Sequence, residues 1–167
     1  ISIANKFNIK SDLIFKFAYP VISNLDNYQI DNLKPNLDKE FYKIERLISL
    51  ISKAKKPVII AGNGCLDASN ELTKFVNTTN IPITTTLHAM GVYDERKDLS
   101  LHMLGMHGSV YANYAVQNAD LIIGIGCRFD DRITGNLDGY ANKAFQAAEN
   151  GVGGVIHIDN NILQINK

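Results

Sequence analysis

Leu121-Ile122-Ile123-Gly124-Ile125-Gly126 is an apolar run with no polar alternation. A strand with one wet face alternates apolar and polar residues, so a run of this kind suits a strand covered on both faces. Val58-Ile59-Ile60-Ala61 reads as the first core strand and Val155-Ile156-His157-Ile158-Asp159 as the last, and the β-branched Ile83-Thr84-Thr85-Thr86 favours extension. Helical segments separate these runs. Strands alternating with helices call for right-handed β-α-β units with helices on both faces, which gives an α/β, three-layer, doubly wound parallel sheet of Rossmann-like type.

The helices follow from spacing and punctuation. Phe41, Ile44, Leu47, Ile48 and Ile51 recur at helical intervals, ending near Lys53, and Lys55-Lys56-Pro57 closes that segment. A second helix carries Ala68, Leu72, Phe75 and Val76 on one face, with Asp67 or Ser69 as its cap. Ser109 is placed to cap a third over Val110 to Asn118, which Ala119-Asp120 breaks. Asn142 to Glu149 reads as another short helix, and residues 87 to 103 as irregular chain with Gly91 as the clearest break. Residues 1–40 have no sustained period and contain Pro20 and Pro35, so they read as a linker ahead of a domain over 41–167.

Seventeen basic residues balance seventeen acidic ones, so no overall field draws the chain to nucleic acid or an anionic membrane. No apolar run approaches the ~20 residues of a membrane helix. Cys65 and Cys127 have no CxxC spacing and read as free, partly buried thiols of a reducing compartment. The first residue is Ile1, without a signal-like segment, so a piece of a longer, non-secreted polypeptide is expected.

Ligands of open α/β sheets bind beyond the carboxyl ends of the strands. Gly62-Asn63-Gly64 follows the first strand and resembles half a dinucleotide fingerprint, with Asp67 where the third glycine would stand. A tight turn with no ligand explains the two glycines equally well. Cys127-Arg128-Phe129-Asp130-Asp131-Arg132 puts four charges past another strand end. Arg128 and Arg132 offer donor forks to phosphate oxygens; alternatively, the four charges pair with one another at the surface. His107 could stack on a flat heterocycle or be structural, and Asp159 resembles the acidic residue that reads ribose hydroxyls. Met90, Met103 and Met106 read as gap-fillers. No triad, zinc motif, Walker loop or paired acid and base is visible, so these residues define a nucleotide-type binding domain without catalytic residues of its own.

KPVIIAGNG, NIPITTTLHAMGVYDE, LHMLGMHGSVYANYAVQNADLIIGIGCRFDDRITG and VIHID, in that order and spacing, resemble the central domain of acetolactate synthases. These are thiamine-diphosphate enzymes of branched-chain amino-acid biosynthesis, and the likeness covers roughly Phe41 to Lys167. It implies a DHS-like NAD/FAD-binding fold whose sixth strand would lie beyond Lys167. It implies FAD, not needed as a net electron carrier, held by Gly62, Asn63, Gly64, Thr86, Leu87, Leu104, Gly105, Met106, His107, Gly126, Arg128, Asp130, Arg132, Ile133, Asp159 and Asn160. Met106, Asp131 and Arg132 match positions near the substrate channel where inhibitors of the family bind. Thiamine diphosphate and magnesium would be held by domains outside this chain, as would the catalytic glutamate. The resemblance further implies a homo-oligomer, a possible regulatory small subunit, and a plastid stroma or bacterial cytoplasm. Asp159-Asn160-Asn161-Ile162 departs from the Asp-x-Asp-Pro pattern common in the family. A sister thiamine enzyme, such as a glyoxylate carboligase or pyruvate oxidase, and a non-catalytic nucleotide-binding module are the alternatives.

Overall fold

The computed structural model describes residues 44–161 and Gln164. The linker expected over 1–40 lies outside the described residues. Helix α1, residues 44–53, buries Ile44, Leu47, Ile48 and Ile51, the apolar stripe its spacing predicts. Strand β1 (Pro57–Ala61) then opens on a proline, tolerated at a first strand position. Helix α2 (Ser69–Thr79) and strand β2 (Ile83–Thr85) follow, then strand β3 (Ser100–Met103), helix α3 (Val110–Asn118) and strand β4 (Leu121–Ile125). A single turn, α4 (Asp131–Thr134), precedes helix α5 (Asn142–Glu149) and strand β5 (Gly154–Ile158).

The five strands form one parallel sheet in the order β3-β2-β1-β4-β5. Successive residues of one apolar run feed opposite layers. Val58, Ile60 and Ile122 pack with Ala112 and Val116 of α3 and Ala144 of α5. Ile59, Ala61, Leu121 and Ile123 pack with Leu47 and Ile51 of α1 and Leu72, Phe75 and Val76 of α2. Ile59, Ile60, Leu121, Ile122 and Ile123 are wholly excluded from solvent. At about 1.5–3 kcal/mol for each such side chain, this two-sided burial is what the uninterrupted hydrophobicity of β1 and β4 supplies.

At the amino ends of the strands, the Asp120 carboxylate accepts hydrogen bonds from the backbone N–H groups of Lys55 (2.7 Å) and Lys56 (2.8 Å). Its own carbonyl accepts from Gly154 N–H at 2.9 Å. One residue thereby ties the entries of β1, β4 and β5 together and leaves their carboxyl ends to the loops that form the site.

Three expectations change. Residues 87–103 are not wholly irregular: they contain β3, a half-buried edge strand whose pairing with β2 slips at His102, where φ is +59°. Helix α2 is capped by neither Asp67 nor Ser69. A 3-10 segment, Asn63–Ala68, runs straight into it, and Ala68 stands at the cap position with no side-chain bond. Met90 and Met106 fill no gap, since they are 51% and 67% exposed. The cap at Ser109 holds as read: its Oγ accepts from Ala112 N–H at 3.1 Å and donates to Leu101 O at 2.8 Å.

Candidate functional site

The strand order reverses between β1 and β4, and the loops leaving those two strands meet. Gly62 N–H donates to Ile125 O at 2.8 Å, and Gly64 N–H donates to Gly126 O at 3.0 Å. A Cβ at Gly62 would lie 2.1 Å from Gly126 O, and one at Gly64 2.8 Å from Gly126 Cα. Gly126 itself has φ +56°, a conformation that favours glycine. These glycines therefore let two backbone segments interlock. The space a side chain would need is filled by protein, and the Gly62 and Gly64 amides are already engaged.

Above this junction runs a groove of about 830 Å³ across the carboxyl ends of the sheet. Its walls contain Asn63, Gly64, Thr86, Leu87, Leu104, Met106, His107, Gly126, Arg128, Asp130, Arg132, Ile133, Asp159 and Asn160. Of the residues marked from the sequence as cofactor contacts, only Gly62 and Gly105 stand outside that lining. Gly62 lies buried at the junction. Gly105 borders a second hollow of about 320 Å³, together with Met106, Asp131 and Arg132. The three expected channel residues therefore meet in this hollow, with Met106 and Arg132 reaching both spaces. His88, Met103, Cys127, Asn161 and Gln164 also line the groove and carried no sequence signal that marked them as ligand contacts.

The GMHG segment is held by docking. Met106 N–H donates to Arg132 O at 3.0 Å, and Gly105 (φ +99°) brings its α-carbon so near that a Cβ would lie 2.5 Å from the same oxygen. The Asn113 side chain accepts from Gly105 N–H at 2.8 Å and donates to Gly105 O at 2.9 Å. Asn113 was invisible to pattern reading because it lies on the exposed side of α3. Together these bonds set Met106 beside the α4 turn, and Met106 and His107 are both exposed to the groove.

The charged loop does two things at once. Arg128 Nη2 lies 3.3 Å from Asp130 Oδ2, and Arg132 Nε 3.9 Å from Asp131 Oδ2. The surface pairing considered from the sequence is thus present, but Arg128 and Arg132 remain 67% and 72% exposed. Exposed pairs of this kind contribute about 0–1 kcal/mol, so either guanidinium can turn to a stronger anion.

Asp159 differs from the other acids of the site: its side chain is 8% exposed. Oδ1 accepts from Asn161 N–H at 2.8 Å, while His157 Nε2 stands 3.8 Å from Oδ2, beyond hydrogen-bond reach. A mostly covered carboxylate with spare acceptor capacity on a groove wall suits the hydroxyls of a ribose. The groove thus offers guanidinium donors along one part and a carboxylate acceptor at another. Its volume is near the upper end of the ~300–1,000 Å³ usual for small-molecule sites, so a long dinucleotide fits its size and chemistry. Burial pushes the thiols of Cys65 and Cys127 up to about 12. Neither is a nucleophile at neutral pH. Among the described residues no group of three or more His, Cys, Asp or Glu could hold a metal ion.

Comparison with known proteins gives this geometry a family. The model for the central domain of thiamine pyrophosphate enzymes matches residues 44–167. The chain is 48% identical over 124 residues to the chloroplastic acetolactate synthase of Arabidopsis thaliana, covering 74% of this chain and 17% of that protein. It is 53% identical over 120 residues to the mitochondrial acetolactate synthase of Schizosaccharomyces pombe, covering 70% and 18%. With the mitochondrial acetolactate synthase catalytic subunit of Saccharomyces cerevisiae it is 42% identical over 159 residues, covering 92% and 23%. The chain therefore spans only about a fifth of the length of these curated relatives. By its matched family model, its five-stranded parallel sheet and its identity with these proteins, the chain belongs to the thiamine pyrophosphate enzymes and carries their central domain.

Proposed function

We propose that this chain is the FAD-binding central domain of an acetolactate synthase catalytic subunit. The whole enzyme would condense two pyruvates, or pyruvate and 2-ketobutyrate, with release of CO2, towards valine, leucine and isoleucine. The observation that carries the reading is the strand-end groove, in which Arg128, Arg132 and Asp159 share one space with the GMHG loop. The 42–53% identity to acetolactate synthases supports the reaction assigned to it.

Arg128 and Arg132 would hold the pyrophosphate, and Asp159 with Asn160 the ribose hydroxyls. Thr86, Leu87, Leu104, Met106, His107, Asp130 and Ile133 would line the remaining length, over a floor made by Asn63, Gly64 and Gly126, with Gly62 buried beneath it and Gly105 supporting the loop that carries Met106. Met106, Asp131 and Arg132, which share the second hollow, would border the channel through which substrate or inhibitor approaches. Thiamine diphosphate, held with magnesium elsewhere in the enzyme, supplies the carbanion chemistry when bound. Residues 1–40 would serve as the linker to a preceding domain and 41–167 as the central domain. The enzyme would be a homo-oligomer with a possible regulatory subunit, in a plastid or mitochondrion, as the names of its relatives suggest, or in a bacterial cytoplasm.

The test is product analysis on the full enzyme given pyruvate, thiamine diphosphate, magnesium and FAD. Acetolactate is expected, with loss of activity when FAD is withheld. Oxygen consumption without acetolactate would instead favour an oxidase, and no turnover at all would favour a non-catalytic module.

A further inference from the structure

His157 sits on β5 directly opposite Gly124 of β4. Gly124 has no side chain, and the Phe129 ring takes that space: a Cβ at Gly124 would lie 2.4 Å from Phe129 Cζ. Phe129 thus folds back over the strand it has just left. There it meets the His157 ring edge-on, with centroids 5.1 Å apart and planes at 90°. The fold-back requires φ +25° at Phe129, a conformation that a non-glycine residue rarely adopts. Such a turn persists only where its surroundings over-determine it.

His157 supplies a second hold. Its Nε2 lies 2.7 Å from Cys127 O. A carbonyl oxygen can only accept, so Nε2 carries the hydrogen and donates. The residues between these two fixed points bring Arg128 to the groove wall, and the Arg128 guanidinium has the exposed Asp130 as its partner. His157 is absent from the groove lining, and the Asp159 carboxylate that its Nε2 faces stands at 3.8 Å, beyond hydrogen-bond reach, so the direct hold of His157 is on the turn.

We propose that His157 is a positioning residue for the flavin site. Its Nε2–H bond to Cys127 O and its contact with Phe129 hold the Cys127–Phe129 turn in the strained form that sets Arg128 against the groove. The proposal rests on the FAD reading above for the identity of the ligand, while the hold on the turn exists without it.

The test compares His157→Gln with His157→Leu in the full chain. A glutamine amide can occupy the place of Nε2 and keep the donor, whereas leucine removes it. Without ligand, amide hydrogen exchange at residues 127–130 should quicken about tenfold in His157→Leu and stay near the wild-type rate in His157→Gln, with β1 and α2 unchanged. FAD affinity, followed by quenching of flavin fluorescence, should fall about tenfold in His157→Leu and recover in His157→Gln. If His157→Leu fails to fold, Phe129→Leu carries the same two measurements. Unchanged exchange in His157→Leu, or equal losses in both His157 variants, would overturn the proposal. If the wild-type chain binds no FAD while exchange responds as described, the flavin reading fails and the hold on the turn stands.

Discussion

Gly62→Ala separates two explanations of the glycine-rich turn. Gly62 has φ −106° and ψ −177°, an extended conformation open to alanine, so the substitution adds no backbone strain of its own. What it adds is a methyl group 2.1 Å from Gly126 O, 2.4 Å from Cys127 Cα and 2.6 Å from Cys127 Cβ. Two of those atoms are backbone, and the peptide they belong to is pinned by Gly64 N–H donating to Gly126 O at 3.0 Å. Relief requires the β1 and β4 exits to part by about an ångström. Overpacking of this kind costs about 1–3 kcal/mol, and a backbone neighbour puts Gly62→Ala at the upper end. Reduced freedom of the unfolded chain returns about 0.4–1 kcal/mol, leaving a net loss of about 2 kcal/mol. With a urea slope of about 1–3 kcal/mol/M, the midpoint should fall by about 1 M. Gly139→Ala is the control: a Cβ there meets nothing within 4 Å, so stability should stay within about 0.5 kcal/mol of wild type. If Gly62→Ala keeps the midpoint of Gly139→Ala and loses only FAD affinity, the interlocked-backbone account is wrong. The glycine would then serve ligand approach.

Four further outcomes follow from the same geometry. Ser109→Ala removes both the α3 cap and the bond to Leu101 O, and should cost about 1–2 kcal/mol in urea unfolding. Asp120→Ala should cost about 2 kcal/mol by the same assay, since it strips two charge-assisted bonds from the entry of β1. Cys65 and Cys127 have folded-state values raised from 9.0 to about 12, so between those values the unfolded chain binds fewer protons than the native one. Stability is therefore intact below pH 9 and should decline as pH climbs towards 12, read as a falling thermal midpoint. Arg128→Gln, at an exposed position, should weaken FAD binding about tenfold in a fluorescence titration while leaving the thermal midpoint within a degree or two.

The parts of the fold legible in the sequence are those where one physical signal dominates. The apolar runs of β1 and β4 announce two-sided burial, and Ser109 before Val110 marks the start of α3. β3 carries little sequence signal because an edge strand needs little hydrophobicity: Ser100, Leu101, His102 and Met103 are all half-buried, and a bulge at His102 breaks their alternation. The site was legible as a set of strand ends but not as contacts. That Gly62 touches Gly126, that Asn113 braces Gly105, or that His157 reaches Cys127 O depends on partners 64, 8 and 30 residues away in the chain. Local periodicity carries no record of such pairings. Arg128 shows the limit most clearly: spacing alone offered ion pairing and ligand binding as rivals, whereas the folded loop pairs Arg128 with Asp130 and still leaves it facing the groove.

The proposed flavin site stands or falls with the groove across the carboxyl ends of the strands. An experimental structure of the protein crystallised with FAD tests it most directly. Density is expected for one extended nucleotide in the groove, with its pyrophosphate at Arg128 or Arg132 and a ribose at Asp159. A flavin bound on another face, or a groove left empty at saturating FAD, would contradict it.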